Sequence, residues 1–120
     1  MRALVVDDSS AMRAVLRLIL KKRDFQVCEA RNGLDALQVL EPADPFDLIF
    51  IDWNMPSMNG LELLQRIRQE ARHKPTKIVM VTTETAASEM AHALDAGADE
   101  YIMKPFTPDV IFDKLQLVGL

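Results

Sequence analysis

The sequence predicts an α/β fold: a doubly wound, five-stranded parallel sheet with five helices on its two faces, of the flavodoxin-like kind. Three observations lead there. Short apolar or alternating runs take turns with helical patterns five times along 120 residues. Asn-Gly pairs and prolines fall between the segments, where a chain must change direction. Most of the runs end in a polar residue: Asp7-Asp8 after ALVV, Asp52 after DLIFI, Thr82 after KIVMV and Lys104 after EYIM. Strands joined by single helices need right-handed crossovers, so they run parallel and their carboxyl ends share one edge. The order 2-1-3-4-5 is expected, because it sets the two acid-bearing strands side by side.

Taken in order, the first run is followed by a capping serine, Ser9 or Ser10. Met12, Val15, Leu16, Ile19 and Leu20 then recur at the spacing of a helix with one buried stripe. Arg13, Arg17 and Lys21 lie along another face, which reads as solvated. The alternating run QVCEA makes the second strand and turns Cys28 inward as a core cysteine. Asn32-Gly33 turns the chain into a helix over 34–40, ended by Pro42 and Pro45. After the third strand, Asn59-Gly60 opens a helix over 61–71, and Pro75 separates it from strand four. A fourth helix is expected over 84–96 with Gly97 as its C′ residue. Thr107 caps the last helix and Pro108 takes its first position.

Bulk properties narrow the function. The length and 49% hydrophobic content suit a single domain over 1–120. A net charge of −4 and a pI near 5.1 argue against nucleic-acid binding. One cysteine cannot form an internal disulfide. No signal peptide, lipidation motif or long apolar span is present, so no membrane insertion and a cytoplasmic location are expected. With four glycines so far apart, neither G-x-G-x-x-G nor a P-loop can be written.

The strand ends carry the chemistry. Asp7, Asp8 and Asp52 gathered at one edge repel one another unless a cation neutralises them. Oxygen-only ligands suit Mg²⁺, with Mn²⁺ as a substitute, rather than zinc. His73 and His92 lie far apart and read as exposed helix residues. Lys104 adds a fixed positive charge, Thr82 a hydroxyl donor, and a carboxylate between them can act as a nucleophile toward phosphorus. Each residue alone has a plain reading, as a cap, a strand threonine or a solvated lysine; their joint occurrence at matching strand ends favours the site.

The segments VVDDSSAMR, IDWNMPSMNGLELL, MVTTE and YIMKPF resemble the response-regulator receiver family across the whole chain, and most of all its CheY-like, chemotaxis branch. The resemblance implies a phosphoacceptor switch rather than an enzyme. Asp52 would accept phosphate from a histidine kinase, and Asp7 and Asp8 would organise Mg²⁺, with Asp8 the direct ligand. The Asn54 backbone carbonyl would join them, Lys104 would pair with the phosphoryl group, and the Lys104-Pro105 bond would be cis. Phosphorylation adds roughly −1.5 to −2 charge, which would draw Thr82 inward and let the Tyr101 ring follow. The face of helix 4, strand 5 and helix 5 would change shape for a partner. The alternative for Tyr101 is a static, half-buried strand residue. Asn54 and Glu84 occupy the positions that tune hydrolysis in this family, which implies a phosphoryl lifetime of seconds to minutes.

Two other readings compete. A Mg²⁺-dependent phosphohydrolase of the haloacid dehalogenase type also uses an aspartyl nucleophile, but it needs a second Asp where Asn54 stands, and a cap. An interaction module that is never phosphorylated has no reason to keep the full acidic set. The expected partners are a sensor histidine kinase, a phosphatase, and a target such as a flagellar motor switch. The segment Glu84-Thr85-Ala86-Ala87 lacks the lysines of the enteric version, while Lys114 matches a basic position. A monomer, or a weak dimer on phosphorylation, is expected. Met55, Met58, Met80 and Met90 read as packing residues and Met103 as a surface one.

Overall fold

The computed structural model describes residues 1–41, 45–83 and 87–120. Strands β1 (Arg2–Val6), β2 (Gln26–Ala30), β3 (Leu48–Asp52), β4 (Lys77–Thr82) and β5 (Glu100–Met103) form one sheet. All pairings are parallel, in the order β2-β1-β3-β4-β5. Helices α1 (Ser10–Lys21), α2 (Gly33–Leu40), α3 (Gly60–Arg68), α4 (Ala87–Asp95) and α5 (Pro108–Leu117) connect or follow the strands. The expected fold class and strand order are those observed.

Period-2 alternation decides which helices each strand residue meets. Leu4, Val6, Ile49, Ile51, Ile78 and Met80 face α2, α3 and α4, where Ala36, Leu63, Leu64, Ile67 and Ala93 meet them. Ala3, Val5, Leu48, Phe50, Val79 and Val81 face α1 and α5, against Leu16, Leu20, Ile111 and Leu115. β3 is buried along its whole length, as a central parallel strand must be, which explains why its sequence is a continuous apolar run rather than an alternating one. Truncating one of these side chains, such as Ile49 or Phe50, to alanine would cost about 2–5 kcal/mol in lost burial and cavity formation.

The helix termini follow the capping chemistry of their sequences. Ser9, Asn32, Asn59 and Thr107 each accept a backbone N–H from the first turn of the following helix, and Asn59 forms a reciprocal capping box with Glu62. Gly97 lies just past α4 with φ +114, a conformation that suits glycine.

Several local expectations need correction. Val15 is exposed rather than part of the α1 stripe, which consists of the buried Leu16, Ile19 and Leu20 with Met12 packed partly against them. The basic row on α1 is not uniformly solvated: Arg13 and Arg17 turn toward β2 and pair with Glu29. α3 stops at Arg68, short of residue 71, and a single turn of 3₁₀ helix, Ala71–His73, follows. His73 is therefore not an exposed helix residue but 1% exposed beneath that turn, whereas His92 is exposed on α4. Cys28 is partly buried against the core. Pro42 and the expected start of α4, residues 84–86, lie outside the described residues.

Candidate functional site

Asp7 and Asp8 follow β1, Asp52 ends β3, Thr82 ends β4 and Lys104 follows β5. Parallel pairing brings these ends to one edge. Carboxylate oxygens of Asp7, Asp8 and Asp52 lie within 4.8 Å of one another. The Lys104 ammonium lies 3.1 Å from Asp52 Oδ1 and 3.4 Å from Asp7 Oδ2, so it bridges the two buried acids. Asp8, by contrast, is exposed and has no hydrogen-bond or ion-pair partner among the described residues. Thr82 is buried one residue beyond Val81, which stands opposite Asp52 in the β3–β4 ladder.

Local geometry explains how each group is held. The Ser9 backbone N–H donates to Asp7 Oδ1 at 2.9 Å, and the same serine caps α1. Asp7 is thereby tied to the helix that follows it. The backbone N–H of Lys104 donates to the Thr82 carbonyl at 2.8 Å, extending the β4–β5 ladder to the lysine itself. The Lys104-Pro105 peptide is cis. Gly60 is needed where it is: a Cβ there would collide with the Asp52 carbonyl oxygen and the Trp53 Cα. Its N–H donates to Trp53 O at 2.9 Å, locking the end of β3 against the start of α3.

Burial and the neighbouring Asp7 charge push the Asp52 carboxyl above the usual carboxylate range, while Lys104 and the Asn54 backbone N–H pull it back. Three acids facing one lysine leave an excess of negative charge in a partly buried site. The donor set is all oxygen, so these residues fit a hard divalent cation such as Mg²⁺ and do not fit zinc.

Tyr101 lies on β5 opposite Met80, two residues from Thr82 on the same face of the sheet. Its ring is half-buried against the core, with the Lys114 ammonium 5.0 Å from the ring centroid. Met55 and Met80 are buried and Met103 is exposed, matching the roles read for them. Asn54 is exposed beside Asp52, and Glu84 lies outside the described residues. Sequence reading missed the structural part played by Arg13, whose guanidinium donates to the Asp7 carbonyl at 2.6 Å. Its signal was present: four residues after a capping serine, a helical side chain leans back toward the strand it came from.

A response regulator receiver domain model matches residues 3–116, nearly the whole chain and every residue of this site. The chain belongs to the response regulator receiver family. Within the family it is similar to the chemotaxis protein CheY1 of Helicobacter pylori, at 43% identity over 119 residues, covering 98% of this chain and 96% of that protein. A chemotaxis protein CheY homolog of Campylobacter jejuni is 44% identical over 117 residues, covering 97% of this chain and 90% of that one. Among solved structures, Vibrio cholerae CheY4 superposes with a TM-score of 0.90 at 35% identity, covering 98% of this receiver and 97% of that chain. This is a CheY-like receiver, and receivers of this kind are phosphoacceptor switches.

Proposed function

We propose that this receiver is a single-domain response regulator, spanning 1–120, in which Asp52 takes a phosphoryl group from a histidine kinase and the altered surface passes the signal on. The observation that carries this reading is Lys104 bridging Asp52 and Asp7 beside a third acid.

The residues divide the work. Asp52 attacks the phosphorus of a phosphohistidine, a P–O bond forms as the P–N bond breaks, and the imidazole leaves with a proton. Lys104 moves from Asp52 onto a phosphoryl oxygen, keeping a counter-charge in place as negative charge arrives. Asp7, Asp8, Asp52 and the Asn54 carbonyl are the groups that hold Mg²⁺, or Mn²⁺ in its stead, which when bound neutralises the acids and the phosphoryl oxygens. The Thr82 hydroxyl donates to the phosphoryl group. Its movement opens room on the face of the sheet it shares with Tyr101, and the ring turns inward. The surface of α4, β5 and α5, including Met103 and Lys114, is the readout. A shift of that equilibrium from 1:99 to 99:1 takes about 5.5 kcal/mol, within reach of a few charge-assisted hydrogen bonds.

Water then cleaves the acyl phosphate and restores the carboxylate. With Asn54 exposed beside Asp52, and Glu84 matching by sequence the second position that tunes hydrolysis in this family, the adduct lasts seconds to minutes, and its survival overnight with Mg²⁺ present would overturn this lifetime. The similarity to chemotaxis proteins supports a target in chemotaxis signalling, such as a flagellar motor switch, with a phosphatase as a further partner. No helix among the described residues is long and apolar enough to cross a membrane. The similarity to chemotaxis receivers supports action in the cytoplasm, as a monomer or a weak phosphorylation-dependent dimer.

Trp53 directly follows Asp52 and reports on the site by fluorescence. Titration with Mg²⁺ should give a saturable change, and beryllofluoride, a phosphoryl mimic, a second Mg²⁺-dependent change that Asp52→Asn abolishes. A second change that persists in Asp52→Asn would move the acceptor elsewhere. Turnover of free phosphate esters would restore the hydrolase reading.

A further inference from the structure

Asp8 is the exposed member of the acid trio and nothing among the described residues holds its carboxylate. Its direction therefore depends on the Asp7-Asp8 peptide. That segment is fastened on both sides. The Asp7 N–H donates to the Ala30 carbonyl at the end of β2, 3.1 Å away, and the Asp7 carbonyl accepts from Arg13 Nη1 at 2.6 Å. Arg13 is in turn tied to the sheet, its Nε donating to Glu29 Oε1 at 3.1 Å. The second carboxylate oxygen of Glu29 pairs with Arg17 Nη2 at 2.7 Å. A guanidinium fork has fixed geometry, so Arg13 sets an angle as well as a distance.

We infer that Arg13, braced by Glu29, is a positioning residue for the cation site: it fixes the plane of the Asp7-Asp8 peptide and so aims the Asp8 carboxylate. The inference rests on the reading of the acid trio as a cation site. It makes a prediction whose sign separates it from simple electrostatics. Arg13 carries positive charge close to a site for a cation, so by Coulomb's law its removal should tighten Mg²⁺ binding. Positioning demands the reverse, because outer groups that orient a ligand typically carry at least about tenfold in metal affinity.

The decisive measurement is the Mg²⁺ dissociation constant, read from Trp53 fluorescence in wild type, Arg13→Met, Arg13→Lys and Glu29→Gln, with melting in EDTA as a check on folding. Arg13→Met and Arg13→Lys should both weaken binding about tenfold, the lysine failing to rescue because it keeps the charge and loses the fork. Glu29→Gln, which leaves the arginine in place and loosens its brace, should weaken binding about twofold to threefold. Tighter binding in Arg13→Met with unchanged binding in Arg13→Lys would mean that only charge matters and would overturn the inference. Unchanged affinity in both would overturn it too. Should the Arg13 variants fail to fold, unchanged affinity in Glu29→Gln decides against it. A wild type with no Mg²⁺ response marks a different failure, that of the cation site itself, and the inference falls with it.

Discussion

The two edges of the sheet are built on opposite electrostatic plans. At the carboxyl edge, Asp7, Asp8 and Asp52 crowd together with Lys104 as the cation that bridges them. At the amino edge, Arg68 spends its fork on the carbonyls of Gly97, His73 and Thr76, at 2.8–2.9 Å, and on the Asp99 carboxylate at 2.9 Å. Asp99 also accepts the Ile78 N–H at 2.8 Å, and Thr76 Oγ1 donates to Phe46 O at 2.7 Å. Arg72 closes the end of α2 through the Leu40 and Glu41 carbonyls. One edge satisfies its polar groups and holds the fold; the other keeps charge in excess and is ready for a ligand. A domain can tolerate an unbalanced site when stability comes from elsewhere.

The largest test of this contrast falls on the satisfied edge. Arg68→Ala should lower unfolding free energy by about 3 kcal/mol, since it strands several partly buried carbonyls and a carboxylate at once. Denaturant melts of the metal-free protein check this, and a loss under 1 kcal/mol would make the network ornamental. Asp52→Asn should act the other way. Because its carboxyl titrates above the usual range in the folded state, ionising Asp52 costs stability as pH rises through that raised pKa. Removing the charge should therefore raise the metal-free melting temperature at pH 7 by a few degrees, whereas destabilisation would contradict a frustrated acidic site.

The smallest effect sits at the amino edge, where one group escapes the rule. His73 is buried with no well-aligned hydrogen bond to either ring nitrogen among the described residues, although Glu70 Oε2 lies 3.2 Å from Nε2. Burial, followed by the nearby Arg72 charge, pushes its pKa down. The unfolded chain takes up that proton first, so stability is full above about pH 6.5 and is lost as pH falls toward the lower folded value. Melting temperatures between pH 7.5 and 5 should fall more steeply for wild type than for His73→Leu; parallel curves would show that His73 is not buried neutral.

Periodicity and strand-end chemistry made the fold class and the acid-lysine cluster legible in the sequence, because both depend on spacing along the chain; spacing does not fix the strand order, which followed from setting the two acid-bearing strands side by side. What escaped depends on partners distant in sequence. Val15 fits the helical stripe by spacing, yet stands exposed. Arg13 and Arg17 look solvated until β2 brings Glu29 beside them. His73 looks exposed because nothing local announces that α3 ends early at Arg68 and that the chain then turns inward. Arg68 itself reads as one more charged helix residue, since its acceptors come from the 3₁₀ turn and from the α4–β5 connection.

The Lys104 bridge also has a meaning for biosynthesis. It spans 97 residues to Asp7 and 52 to Asp52. A chain emerging from the ribosome exposes both acids long before the lysine that bridges them, so the first three strands exist for a time with their acids unbridged. The acid–lysine bridge can close only after β5 has been made, with α5 alone still to follow, so the carboxyl edge is completed late in synthesis although its acids are made early.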